Sequence, residues 1–173
     1  MRIVMKFGGS SLADGNCILR CCNIVKHYRQ DHEIIVVVSA MDDVTDKLIE
    51  LAELAKNGHG EELTKRIEAL HTQHLEATTV LTSEELREAA RRELSKLLAE
   101  LEKILFASAL LKEVTPRTRD RLLSYGERLS SILFEHALKE VGVECVRFEG
   151  GEAGVITDEV FGEATPLFEI SKS

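Results

Sequence analysis

Ile34-Ile35-Val36-Val37-Val38 is an unbroken run of β-branched residues, and its reading decides the fold. Branching at Cβ stiffens χ1, suits a pleated surface and crowds the preceding turn of a helix, so the run is a buried strand. Upstream, Arg2 to Phe7 is a second strand. Its Ile3-Val4-Met5 core is too continuous to be half exposed, which predicts a central position in a sheet covered on both faces. Between the two strands a helix runs from about Gly15 to Gln30, with Ile18, Cys21, Cys22, Val25 and Tyr28 on its apolar side. After Ser39-Ala40-Met41, a polar loop leads into a helix from about Val44 to Asn57, stopped by Gly58. Such a βαβα opening implies a mostly parallel sheet with right-handed crossovers.

Further along, residues 61–113 carry almost no strand signal and read as a helical pair joined near Thr79 to Ser83. Thr82 and Glu85 stand at capping-box spacing for the second helix. Leu86, Ala90, Leu94, Leu97, Leu98, Leu101, Ile104 and Leu105 form its apolar stripe. Packing of this hairpin on its own domain is favoured over a dimeric coiled coil. Thr115-Pro116 starts another helix as N-cap and first residue, and Gly142 follows its end at Val141. Short strands are expected near Cys145 to Phe148 and from Ala153 to Thr157, around a glycine-rich turn at Gly150-Gly151.

Composition sets the class. A chain of 173 residues with 44% hydrophobic and 30% charged content suits one globular domain with a real core. A net charge of -8, with the basic residues scattered among the acids, argues against nucleic acid as the main partner. No run reaches the roughly 18 apolar residues of a membrane span, and no cationic stretch precedes an apolar core as in a secretory signal. The reading is a cytoplasmic protein without a membrane partner. Cys17, Cys21, Cys22 and Cys145 form no CxxC pair and have no histidine at finger spacing, so reduced core thiols are expected and no metal site.

Four places bear on chemistry. Strand, then Lys6-Phe7-Gly8-Gly9-Ser10-Ser11, then helix lets backbone amides and a helix dipole approach an anion, with Lys6 as a mobile charge. A plain tight turn is the competing reading. The pattern is neither a P-loop nor a dinucleotide fingerprint. Ser39 and Thr45 sit at the carboxyl end of a strand, where α/β sheets gather ligands, although helix capping explains them equally. Gly126, inside Ser124-Tyr125-Gly126-Glu127-Arg128, costs about 1 kcal/mol relative to alanine in a helix and hints at close approach by a backbone or a ligand. Glu127 is expected to be partly buried, balanced by a substrate ammonium or by a structural cation. Gly150 to Asp158 is either a ligand-closing turn or a hairpin.

Taken in order, "MKFGGSSL", "VVVSAMDDVTDKL", "TPRTRDRLLSYGERLSS" and "GGEAGVITDEVFGEA" resemble aspartate kinase, a branch of the amino acid kinase family, along the whole chain. The resemblance implies a three-layer α/β/α sandwich with a mostly parallel central sheet and an inserted helical hairpin. It implies phosphoryl transfer from ATP, with Mg2+, to the β-carboxylate of L-aspartate on the route to lysine, threonine and methionine. By this analogy Lys6 bridges nucleotide phosphate and acceptor carboxylate, Gly8, Gly9 and Ser10 hold the phosphate, and Ser39, Thr45, Glu127 and Thr157 hold aspartate. Asp158 would orient Lys6. Three departures stand out: Ser10-Ser11 for the usual Thr-Ser, Thr45-Asp46 for Thr-Asn, and Gly150-Gly151-Glu152 where many relatives carry an arginine for the α-carboxylate. The nucleotide-base lobe and regulatory domains are not recognisable, so residues 1–173 read as the amino-terminal, aspartate-binding lobe, inactive alone and part of a homo-oligomer when complete. The competing readings are a stand-alone amino-acid-binding or scaffold protein derived from the lobe, and a kinase of another small acid.

Overall fold

Strand β1 (Arg2–Phe7) lies parallel to β2 (Glu33–Val38), in a register that sets Lys6 beside Val37 and Phe7 beside Val38. The computed structural model describes residues 1–171, so Lys172 and Ser173, the end of the expected lobe, lie outside the described residues. Helix α1 (Gly15–Arg29) makes the crossover between the strands, as the parallel pairing requires. Then come α2 (Val44–Asn57), α3 (Gly60–Ala77), α4 (Glu84–Leu111), α5 (Pro116–Glu140) and a terminal turn, α6 (Phe168–Ser171).

One face of the sheet carries Met5, Phe7, Ile34, Val36 and Val38 into the core, where the ring of Phe7 stacks on Phe134 of α5 at 5.5 Å. The other face is open. Val4 is 63% exposed, Ile35 46% and Val37 44%, so the expectation that β1 is central and covered on both faces is corrected: side chains alternate and only one set is packed. The α/β class, the parallel sheet and the inserted helical pair are as expected.

The helices end where their chemistry says. Asp14 caps α1 by accepting from the Cys17 N–H at 2.7 Å, Gly58 closes α2 in the left-handed region, and Thr115 caps α5 ahead of Pro116. Of the apolar side expected for α1, Ile18, Cys21, Cys22 and Val25 are buried, while Tyr28 is exposed. The α3–α4 pair packs against α2 and α5, burying Ala90, Leu94, Leu97, Leu98, Leu101 and Leu105 within the domain. The start of α4 differs in detail from a capping box. Ser83 is its N-cap, and the N–H groups of Thr82 and Ser83 are taken by the carboxylate of Glu140, at 3.1 and 3.2 Å, from the far end of α5.

Neither expected later strand forms. Cys145 to Phe148 pairs with no strand among the described residues, and Ala153 to Thr157 contributes one antiparallel bridge, Thr157 to Pro166. The first segment is held by its side chains: Arg147 reaches Glu93 of α4 at 2.5 Å and Glu135 of α5 at 2.7 Å. All four cysteines are free thiols. Burial raises the pKa of Cys21, Cys22 and Cys145, which fits inert core thiols.

Candidate functional site

Three backbone segments meet at Ala40. The loop after β2 begins with the Ser39 N–H donating to the Phe7 carbonyl at 3.0 Å, so the ends of both strands stay side by side past the ladder. Ala40 follows, buried. A Cβ on Gly9 would lie 3.5 Å from its carbonyl oxygen, which places the Gly8-Gly9 turn against the loop from one side. From the other side comes α5. A Cβ on Gly126 would stand 2.8 Å from the Ala40 Cβ, and Glu127 Oε1 accepts a long hydrogen bond, 3.4 Å, from the Ala40 N–H. The structure therefore brings Lys6, Gly8, Gly9, Ser39 and Glu127 to neighbouring positions around one loop.

Gly8 sharpens the reading of the turn. Its φ of -85° suits any residue, and among the described residues nothing stands within 4 Å of where its Cβ would be. Neither strain nor crowding among the described residues calls for glycine there, so the space beside this turn is open. Gly9 opens a single 3-10 turn to Leu12, closed by the Ser11 N–H donating to Gly8. The start of α1 offers an anion less than expected, because Asp14 takes the Cys17 N–H and brings its own negative charge. The Gly8-Ser10 turn lies earlier, and Lys6 is exposed at the adjoining strand end.

Across from that turn, Thr45 is exposed in the first turn of α2, with Asp46 beside it in the favourable field of the helix N-terminus. The N-cap residue Asp43 has φ 62°, left-handed for a residue with a side chain, and that side chain makes no capping bond. Gln73 of α3 spans this loop. Its amide donates to the Asp42 carbonyl at 3.3 Å and accepts from Lys47 Nζ at 2.8 Å. Sequence reasoning missed Ala40, Lys47 and Gln73, since nothing local marks a residue whose partners lie dozens of positions away. Glu127 was expected to be partly buried and is exposed.

Thr157 and Asp158 stand on a separate loop. Asp158 Oδ1 accepts from the N–H groups of Val160 and Thr165, both at 3.1 Å, and thereby shapes its own turn. That turn is fixed to the first half of α5 by the Gly162 N–H on Asp120 at 2.7 Å and by Arg117 over the Phe161 ring. Arg128 holds the glycine-rich turn in the same way, pairing with Glu149 at 2.7 Å while lying over the Tyr125 ring. No ion pair joins Lys6 to Asp158 among the described residues. No helix among them is long and apolar enough to cross a membrane.

The strand pair thus holds a glycine turn beside a hydroxyl-bearing loop at its carboxyl ends, the place where α/β sheets gather ligands. The sequence model of the amino acid kinase family matches residues 1–172, and the chain belongs to that family. Among curated relatives it is 33% identical over 172 residues to aspartokinase 3, chloroplastic, of Arabidopsis thaliana, spanning 95% of this chain and 28% of that one. Aspartokinase of Mycobacterium tuberculosis is 28% identical, spanning 94% of this chain and 26% of that one. The fold matches E. coli aspartokinase III solved with aspartate and ADP, with TM-score 0.85 and 28% identity over 99% of this chain and 37% of that one. It also matches the same enzyme solved with lysine and aspartate, with TM-score 0.84 and 29% identity over 97% of this chain and 35% of that one. This chain thus spans between a quarter and two fifths of the relatives it matches.

Proposed function

We propose that this chain is the aspartate-binding lobe of an aspartate kinase, which transfers the γ-phosphoryl group of MgATP to the β-carboxylate of L-aspartate. The observation that carries the reading is the meeting at Ala40 of the Gly8-Gly9 turn, with its vacant Cβ position, and the Glu127 carboxylate. The aspartate and ADP in the E. coli relative support both ligands.

In this reading a β-carboxylate oxygen of aspartate attacks the γ-phosphorus while the bond to the bridging oxygen of ADP breaks. Positioning and charge neutralisation supply most of the rate. Amides at Gly8, Gly9 and Ser10 hold phosphate oxygens, and Lys6 spans phosphate and acceptor. Glu127 takes the substrate ammonium, with Ser39, Thr45 and Thr157 as hydroxyl donors to its carboxylates. Asp158 is assigned to Lys6 through Oδ2, since Oδ1 is committed to loop amides. Among the described residues no cluster of three or more His, Cys, Asp or Glu groups could hold a metal ion. In this reading the magnesium is carried mainly by nucleotide phosphates and water.

Titration calorimetry tests the lobe directly. L-aspartate is expected to release or absorb heat on binding, with L-glutamate and N-acetylglutamate weaker, and Glu127→Ala is expected to abolish the signal. No heat with aspartate overturns the reading. Phosphoryl transfer, followed as ADP release, is expected to require Lys6. Aspartate binding without any transfer in the longest natural form of the protein would favour the stand-alone binding module instead.

A further inference from the structure

We propose that Gly126 and Ala40 are a positioning pair for Glu127: their contact, with no side chain between α5 and the loop after β2, sets where the carboxylate meets the amino group of the substrate. The inference rests on the reading of Glu127 as the ammonium ligand. It adds to that reading a gauge made of two small residues.

Gly126 lies in the interior of α5, where glycine costs about 1 kcal/mol relative to alanine. Its φ is not left-handed, so conformation does not explain the choice. Space does. A Cβ at 126 would come 2.8 Å from the Ala40 Cβ, closer than such atoms approach, and would also meet Leu48 Cδ1 at 3.4 Å and Val44 Cγ1 at 3.5 Å. The distances to Leu48 and Val44 are ordinary van der Waals contacts, but the one to the Ala40 Cβ is not, and that atom is fixed to the backbone. Relief therefore requires α5 and the loop to separate. The next residue on α5 is Glu127, whose carboxylate takes the Ala40 N–H at 3.4 Å, already at the long end for a hydrogen bond. A shift of a few tenths of an ångström breaks it. The same loop backs the Gly9 turn through the Ala40 carbonyl, so the displacement also reaches the phosphate side.

The test is a double-mutant cycle read in two ways, L-aspartate affinity by calorimetry and hydrogen exchange of the residue-40 amide by NMR. Gly126→Ala is expected to weaken aspartate binding about tenfold and to speed the residue-40 exchange to the rate seen in Glu127→Ala. Combining it with Ala40→Gly, which removes the clashing atom, is expected to bring both values to within about threefold of Ala40→Gly alone. If Gly126→Ala does not fold, recovery of a folded, aspartate-binding double variant is the supporting result. Unchanged affinity and exchange in Gly126→Ala overturn the proposal, and so does a double variant that fails to recover. Absence of heat with aspartate in the parent chain would remove the reading of Glu127 as ligand, while the exchange cycle still decides whether the pair positions it.

Discussion

A Cβ on Gly15 would come 2.4 Å from the carbonyl oxygen of Ala77 and 2.7 Å from Val80 Cγ1. The first turn of α1 therefore touches the backbone that joins α3 to α4, and the helical pair is anchored to the sheet layer through a residue with no side chain. Neither the carbonyl nor the 3-10 turn of Thr78–Val80 behind it can move aside cheaply. Gly15→Ala is expected to destabilise the fold by about 3 kcal/mol, an overpacking cost at the upper end of its class. Urea denaturation followed by circular dichroism measures it, and a loss under about 0.5 kcal/mol would show that the contact relaxes freely.

Asp43 carries the opposite expectation. It is held at φ 62° with no capping bond from its side chain, so the left-handed conformation is strained without local return. Asp43→Gly removes that strain, offset in part by the larger freedom of glycine in the unfolded chain. The net gain is expected to be about 0.5 kcal/mol, a rise in Tm of roughly 1–2 °C for a chain of this size. A fall in Tm would show that the Asp43 carboxylate supports the loop after all.

Much of this architecture was legible because its signals are local. The valine and isoleucine run of β2, the Thr115-Pro116 start of α5 and the Gly58 stop of α2 each state their structure within a few residues. The later strands were misread for the same reason. Cys145 to Phe148 has strand composition, but a strand exists only beside a hydrogen-bonding partner, and among the described residues none stands there. Ion pairs from Arg147 hold the segment instead. The start of α4 repeats the lesson, since Glu140, 58 positions from Thr82, takes the exposed amides. At the site, Gly126 announced a close approach, yet only the structure could name Ala40 as what it approaches.

His74 makes stability depend on pH. It is fully buried in α3, Nδ1 donates to the Leu70 carbonyl at 2.8 Å, and Nε2 has no partner. Burial is the main cause that brings its pKa down to about 4, with the charges of His71 and Lys47 acting in the same direction and the Leu70 bond opposing. The unfolded chain takes up this proton near pH 6.5 and the folded one only near 4, so between those values the unfolded state binds more protons. Stability is then full above pH 6.5 and falls as the pH drops toward 4, by at most on the order of 3 kcal/mol. His74→Leu is expected to flatten that slope. An equal slope in the variant, measured by urea midpoints across the window, would assign the effect elsewhere.

Arg147 offers a test of what fixes the segment after α5. Burial works against ionisation of Glu135, but hydrogen bonds from Lys139 at 2.6 Å and Arg147 at 2.7 Å outweigh it and hold its carboxyl below the usual range. The second arm of Arg147 reaches Glu93, which also bonds His136 at 3.0 Å, so one guanidinium ties α4, α5 and the following chain together. Arg147→Ala is expected to raise the Glu135 pKa and to leave residues 143–149 without that tie. The cost in global stability is expected to be only about 1 kcal/mol, because the pairs are partly open to solvent. Stability carried by the depressed Glu135 pKa is present above its unfolded value and lost as the pH falls below it, so the variant should also lose less on acidification. The decisive readout is local: amide exchange at residues 145–148 should accelerate far more than exchange in the middle of α5. Equal acceleration in both places would mean that the ion pairs support the whole domain rather than this segment, and unchanged exchange at 145–148 would mean that they do not hold it.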